Sequence, residues 1–287
     1  MGERRSRVRT PPHTSRGHAD RGDDLRGRDR VNGGPTIPDL FTYALATGPA
    51  RPLLTYYDDA TGERVELSVA TTANWVAKTA NMLQDSLGVG AGSLVHLSLP
   101  PHWAGAVWLL AAWSAGCTIT AAADIGQHES AVVVVGPDVL ARSSQAAGFG
   151  ATGEEVVALS LRPLGGRFIE ALPAGVIDFN AEVLGHGDHF SAWESPTAGS
   201  AALRSTSGTA THADLISQAR HQVAGRELAA GARLLLTGDD APLASALVVA
   251  LVVDGSLVLL RDSGGGAVPE ERLAAVAHDE RVTGRFG

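Results

Sequence analysis

The feature that most constrains the fold is a series of short aliphatic runs that alternate with segments of helical periodicity. The clearest run is Val132–Val135, a stretch of consecutive valines with no polar residue. Continuous β-branched runs of this kind are typical of strands that are buried on both faces of a parallel sheet. We therefore expect an α/β protein of mostly parallel sheets flanked by helices.

One amphipathic helix is indicated by spacing alone. Its apolar residues between Thr72 and Leu87 recur every three or four positions, and Gly88 ends it. Lys78 lies off the apolar face, so we expect a solvated surface lysine. Further helices are predicted at 35–47, ending near 115, at 212–227 and at 242–253. Strands are predicted at 53–57, 64–69, 93–99, 118–122, 131–136, 156–161, 201–204, 233–236 and 256–260.

Composition divides the chain into a tail and one domain. Residues 1–34 hold nine arginines and five acidic residues but few large apolar side chains, so we expect a disordered tail. We expect residues 35–287 to form a single α/β domain. The tail has no apolar segment typical of a signal peptide. The uncharged stretch 103–123 is rich in small residues, which favours a buried helix and strand over a membrane span.

The net charge of −8 argues against general nucleic-acid binding. Together with the absence of a predicted membrane span, this makes neither nucleic acid nor membrane an expected partner. We expect a cytoplasmic protein.

The segment with the most chemical content follows a predicted strand and precedes a predicted helix. Thr211 lies three positions before Asp214, a spacing typical of a capping box at a helix start. Hydroxyls and free backbone N–H groups just before such a helix can bind an anion. The sequence therefore predicts a nucleotide- or phosphate-binding loop. Its residues are Ser205, Thr206, Ser207, Gly208 and Thr209.

The order of these features resembles a known family. The resemblance is to the N-terminal region of adenylate-forming enzymes. It rests on a helix, then the turn and strand at 87–95, then an apolar helix that ends in Trp-Ser-Ala-Gly at 113–116. These enzymes are the acyl-CoA synthetases and their AMP-binding relatives. The segment 206–209 resembles the start of their phosphate loop, TSGTTGxPKG. The resemblance extends from about Pro35 to Leu260, and the chain is also similar to a short AMP-binding-like family of high-GC bacteria.

Departures from the family pattern bear on activity. The resemblance places Thr211 at a loop glycine and Asp214 at the loop lysine. The family's Tyr-x-x-Thr-Glu segment, which helps to hold magnesium, and its C-terminal lid with the catalytic lysine have no counterpart. The resemblance therefore implies a degenerate domain with no catalytic residue, no metal site and no Mg²⁺. ATP, AMP or an acyl ligand would bind weakly.

Two alternatives remain open at this point. The chain is either a half-enzyme whose missing segments come from a partner polypeptide, or a ligand-free interaction or scaffold protein that forms a homo-oligomer. The His186-Gly187-Asp188-His189 segment contains metal-ligating residue types, but its glycine-rich pattern favours a polar loop. Cys117 lies in an apolar context and is expected to be a buried, inert thiol.

Overall fold

The computed structural model describes residues 34–120, 131–145, 153–238, 242–262 and 268–286. The strands are β1 (Pro52–Asp58), β2 (Glu63–Ser68), β3 (Leu94–Ser98), β4 (Thr118–Thr120), β5 (Val132–Val135), β6 (Glu155–Ala158), β7 (Val176–Asp178), β8 (Ala201–Ser205), β9 (Gly208–Thr211), β10 (Arg233–Thr237), β11 (Ser256–Arg261) and β12 (Gly284–Phe286). The helices are α1 (Ile37–Thr47), α2 (Val69–Asn81), α3 (Trp103–Ser114), α4 (Pro137–Gln145), α5 (Phe179–Glu182), α6 (His212–Gly225), α7 (Leu243–Val252) and α8 (Glu270–Asp279).

The strands form two sheets. Sheet A has five strands in the order β12-β10-β11-β1-β2, and sheet B has seven in the order β7-β6-β5-β3-β4-β8-β9. Neighbouring strands run parallel except at one edge of each sheet, where β2 and β9 return antiparallel to β1 and β8. The prediction of an α/β fold with mostly parallel sheets is therefore confirmed.

The main core lies between the two sheets. Helix α3 is apolar around its whole circumference, and every residue from Trp103 to Trp113 is buried. Alternate residues of β11 divide between two clusters: Leu257 and Leu259 join the main core, whereas Val258 and Leu260 pack under α8. On sheet B, Leu140 of α4 packs against the outward-facing valines of β5 and β6. Among the described residues, no helix is both long enough and apolar enough to cross a membrane.

Several element bounds differ from the sequence prediction. The amphipathic helix starts at Val69, and after Asn81 it continues as a π-helical turn, Met82–Ser86. Strand β9 was not predicted, because the sequence Gly-Thr-Ala-Thr is short and its residues are typical of loops as well as strands. The predicted tail 1–34 lies outside the described residues except for Gly34, as do residues 121 and 122 of the predicted strand 118–122.

Candidate functional site

The predicted phosphate loop forms the tip of the β8–β9 hairpin. Ser205 pairs with Gly208 across the ladder, so Thr206 and Ser207 form a two-residue turn. Gly208 has a φ of +130°, a conformation that favours glycine, and a Cβ at this position would meet nothing within 4 Å. All five predicted residues are exposed. The structure therefore brings them together on an accessible tip, in a hairpin rather than in a loop leading directly to the helix.

The hydroxyl groups of the tip differ in their local bonding. Ser205 Oγ lies 2.8 Å from Ser207 Oγ and donates to the carbonyl oxygen of Gly208 at 3.3 Å. Among the described residues, the hydroxyls of Thr206 and Thr209 form no such bond. The two threonine hydroxyls are therefore the groups most available to a ligand.

The tip lies at the carboxyl edge of sheet B. Strand β8 runs parallel to β4, which in turn runs parallel to β3, so their carboxyl ends share one edge. In open α/β sheets, ligands bind outside the carboxyl ends of the strands. The position of the tip is therefore one at which a ligand can reach both its hydroxyls and its backbone.

Arg204 is a residue that the sequence analysis did not assign to the site. It pairs with Thr209 across the β8–β9 ladder and is exposed. Side chains on directly paired residues project from the same face, with Cβ atoms about 5 Å apart. The guanidinium group of Arg204 therefore starts from the same face as the Thr209 hydroxyl. Only the pairing register of β8 with β9 could have identified Arg204, and that register could not be known because β9 was not predicted.

The start of α6 follows the predicted capping box. The Thr211 hydroxyl accepts a bond from Asp214 N at 3.1 Å, and the Asp214 carboxylate accepts one from Thr211 N at 2.9 Å. Hydrogen bonds from the Thr211 backbone and hydroxyl hold the pKa of Asp214 below its usual range. The helix N-terminus thus already carries a carboxylate of its own, which opposes a second anion there.

The chain's lysine does not lie at this site, and the expectation that it is solvated is wrong. Lys78 is half-buried on α2, and its Nζ donates to the carbonyl oxygen of His186. A residue 108 positions away provides the acceptor, so local periodicity could not reveal the bond. Lys78 therefore anchors a distant segment of chain.

The His186–His189 segment lies against α2 as a polar loop. His189 Nδ1 lies 2.8 Å from the Asp188 carboxylate, whereas His186 Nε2 lies 3.4 Å from Ser86 Oγ. No group of three potential metal ligands is found within the described ranges. The two histidines are thus used in separate contacts.

Cys117 is buried, as predicted. Its thiol donates to the carbonyl oxygen of Gly90 at 3.3 Å, and burial raises its pKa to about 12. Because the thiolate is the reactive form, this thiol is inert at neutral pH.

A buried histidine at the start of α3 was also missed. His102 Nδ1 accepts a bond from Ala104 N at 3.0 Å, and its ring lies edge-on to Tyr56 with centroids 4.4 Å apart. Burial, with a smaller effect from Arg261, lowers the pKa of His102 to about 3. The imidazole is therefore neutral at physiological pH and acts as part of the aromatic core.

Comparison with solved structures identifies the architecture. An acyl-CoA synthetase from Brucella canis has a TM-score of 0.72 at 18% identity, over 93% of this chain and 50% of that one. The N-terminal domain of FACL13 from Mycobacterium tuberculosis has a TM-score of 0.65 at 13% identity, over 87% and 62%. The fold is that of the N-terminal half of acyl-CoA synthetases. ATP-bound MatB from Rhodopseudomonas palustris has a TM-score of 0.61 at 19% identity, over 85% and 48%.

Sequence comparison adds one curated relative. A Mycobacterium tuberculosis protein described as a TIGR03089 family protein is 43% identical over 144 residues, which are 50% of this chain and 57% of that protein. No family model matches the sequence. The chain thus spans between 48% and 62% of the length of these structures and of this relative.

Proposed function

We propose that this chain is a degenerate adenylate-forming-enzyme-like domain that binds the phosphate of ATP or AMP weakly and does not activate acyl groups by itself. The observation that carries the proposal is the exposed Ser205–Thr209 tip at the carboxyl edge of sheet B. The likeness of the fold to ATP-bound MatB supports a nucleotide as the ligand.

The tip offers a phosphate both neutral donors and a cation. The Thr206 and Thr209 hydroxyls donate to phosphate oxygens, and the open space at Gly208 lets the backbone come close. Arg204, paired with Thr209, contributes a guanidinium group suited to bidentate phosphate contact. In this proposal Arg204 supplies the positive charge that the family's loop obtains from lysine.

Two features keep the proposed affinity low. The Asp214 carboxylate lies at the N-terminus of α6, and Lys78 is bonded to His186 on another part of the molecule. We expect a dissociation constant of about 1 mM for AMP, equivalent to about −4 kcal/mol.

Isothermal titration of the full chain with ATP and AMP tests the proposal. Arg204→Gln should weaken binding about fivefold, and Asp214→Asn should strengthen it about threefold by removing a negative charge. Thr42→Ala, at an exposed threonine on α1, is the matched control and should bind as the parent does. Absence of heat at millimolar nucleotide would overturn the nucleotide proposal and favour the ligand-free scaffold.

A second hypothesis is the half-enzyme, because the acyl-CoA synthetase and MatB structures that this chain resembles contain further segments beyond the half that it covers. Under this alternative a partner polypeptide supplies the missing segments. Pyrophosphate exchange should then be silent for the chain alone and should appear on addition of the partner. Exchange by the chain alone would contradict both this alternative and the degenerate domain.

A further inference from the structure

A long segment without helix or strand is fixed to the molecule by side chains of one helix. Residues 186–200 are here called the strap, which begins alongside α2 and the π-helical turn and ends against the start of α6. Asn81 Nδ2 donates to the carbonyl oxygens of Gly187 and His189 at 2.9 and 2.8 Å. Gln84 donates to Ser191 O at 3.2 Å and accepts from Trp193 N at 2.8 Å. Together with the Lys78 bond, these contacts hold the strap backbone in one position.

This fixed backbone presents an exposed indole. Trp193 is 66% exposed, although a Cβ at Gly90 would lie only 3.7 Å from its Cε3 atom. The chain's other four tryptophans are buried or half-buried. Leu184, 55% exposed, lies just before the strap. A solvent-exposed tryptophan whose backbone is fixed by hydrogen bonds is typical of an interaction surface.

The carboxylates of the strap are the Asp188 and Glu194 side chains. The His189 ring lowers the pKa of Asp188, and Lys78, bonded to His186, is a cation close enough to lower it further. Between Leu184 and Ser200 the sequence contains Asp188 and Glu194 but no lysine or arginine. Both carboxylates are exposed, and so is Asp85 on the turn beneath the strap. An occupant that combines positive charge with flat cationic groups suits such a surface, because guanidinium groups stack on indole faces.

The chain itself contains a positively charged segment that is rich in arginine. Residues 1–33 carry nine arginines and five acidic residues, a side-chain net charge of +4. This segment joins the described structure at Gly34, where a Cβ would lie 3.9 Å from Cβ of Ala198 in the strap. From Ala198 to Trp193 the chain spans at most about 18 Å. The basic segment therefore enters the structure beside the acidic surface, and its length easily covers the distance.

We propose that the arginine-rich segment 1–33 docks on the strap, with arginine guanidinium groups on the exposed face of Trp193 and beside Asp188 and Glu194. Because the segment is tethered next to the surface, its effective concentration is high and individually weak contacts suffice. The contact is electrostatic in part and weakens as salt rises.

Contact quenching in the full chain tests the proposal. A dye whose emission is quenched on contact with tryptophan is attached to Ser15→Cys, since the buried Cys117 thiol does not label under the same conditions. Trp193→Phe should raise the emission at least twofold, because the quencher is lost while the backbone bond to Gln84 is kept. The matched control is Trp75→Phe, whose indole packs against Trp103 and Phe179 and should have no effect.

Two further measurements separate this contact from its alternatives. Replacing Arg4, Arg5, Arg7 and Arg9 with glutamine should release the quenching. If quenching persists, the dye rather than the arginines makes the contact, and the proposal fails. Equal emission in the parent and Trp193→Phe would also overturn it. Quenching that increases with protein concentration would indicate a second copy as the occupant, and would likewise overturn intramolecular docking.

Discussion

The hairpins at the edges of the two sheets are built alike but differ at their tips. In each, a parallel strand turns back into an antiparallel edge strand that leads directly into a helix: β1–β2 into α2 and β8–β9 into α6. Both ladders shift register at the base, and both helices start at a hydroxyl N-cap, Ser68 in one and Thr211 in the other. The structural frames are therefore equivalent.

The first tip is held by charged groups. Asp59 accepts bonds from Arg272 Nε at 3.0 Å and from Arg272 Nη2 at 2.7 Å, which fixes the tip to α8. Asp58 accepts from Ala60 N at 2.8 Å. At the second tip, the hydrogen bonds found among described side chains join Ser205 to its immediate neighbours. Polar groups at the first tip therefore stabilise the fold, whereas those at the second tip are available to a ligand.

The greatest loss of stability is expected on disruption of the polar network behind the first hairpin. Glu280 is buried and accepts bonds from Tyr57 of β1, from Arg64 of β2 and from Arg233. Glu280→Gln should lower the free energy of unfolding by about 3 kcal/mol at pH 7, because the Arg233 guanidinium group, whose side chain is only 15% exposed, loses its nearest counter-charge. Urea denaturation measures the change, and exposed Glu271→Gln on the same helix is the control.

The pH dependence of this network has a defined sign. Burial raises the pKa of Glu280, but hydrogen bonds from Tyr57, Arg233 and Arg64 outweigh it and lower the pKa to about 2. Its contribution to stability is thus complete above the ordinary glutamate pKa and is lost as pH falls toward 2. The difference in unfolding free energy between the parent and Glu280→Gln should shrink by roughly 2 kcal/mol from pH 7 to pH 3. A constant gap would contradict the assigned ionisation.

The next largest change in stability is expected at α6, the helix that follows the second hairpin. His212 is buried, and its Nδ1 accepts a bond from Ile37 N at 3.4 Å. Burial lowers its pKa to about 4, against a smaller opposing effect from Asp39. The unfolded chain therefore takes up a proton first as pH falls below 6.5. His212 should cost the fold roughly 2 kcal/mol between pH 7 and pH 5.

His212→Asn keeps an acceptor for Ile37 but cannot titrate. Its unfolding free energy, measured by urea denaturation at both pH values, should decline by roughly 2 kcal/mol less than that of the parent. His221→Asn, at an exposed histidine on the same helix, should follow the parent. A decline for His212→Asn equal to that of the parent would show that His212 does not couple to unfolding.

The smallest expected stability effects compare the two tips directly. Asp59→Asn should cost about 1 kcal/mol, because it weakens a two-bond contact to Arg272 that is only partly exposed. Ser207→Ala should stay within about 0.5 kcal/mol, since its bond to Ser205 is exposed. Thermal or urea unfolding of the two variants measures both. Equal losses would remove the distinction between the tips.

The sequence predicted the features that depend on local pattern. The valine run Val132–Val135, the apolar helix at 103–114 and the capping box at Thr211 each lie within one continuous stretch of at most twelve residues, and each has its predicted structure. The bonds of Lys78 and Glu280 depend on partners far along the chain, and the placement of Arg204 depends on strand pairing. Such contacts follow from tertiary packing, which no periodicity in one segment records.

Amide chemical shifts during titration with AMP would show whether the second tip, unlike the first, is available to phosphate. Because the second tip is available to phosphate, resonances of Thr206–Thr209 should shift progressively and approach saturation in the millimolar range. Those of Asp59–Gly62 at the first tip should not move. Shifts at the first tip, or none at Thr206–Thr209 at any concentration reached, would show that the two tips do not differ in their access to phosphate.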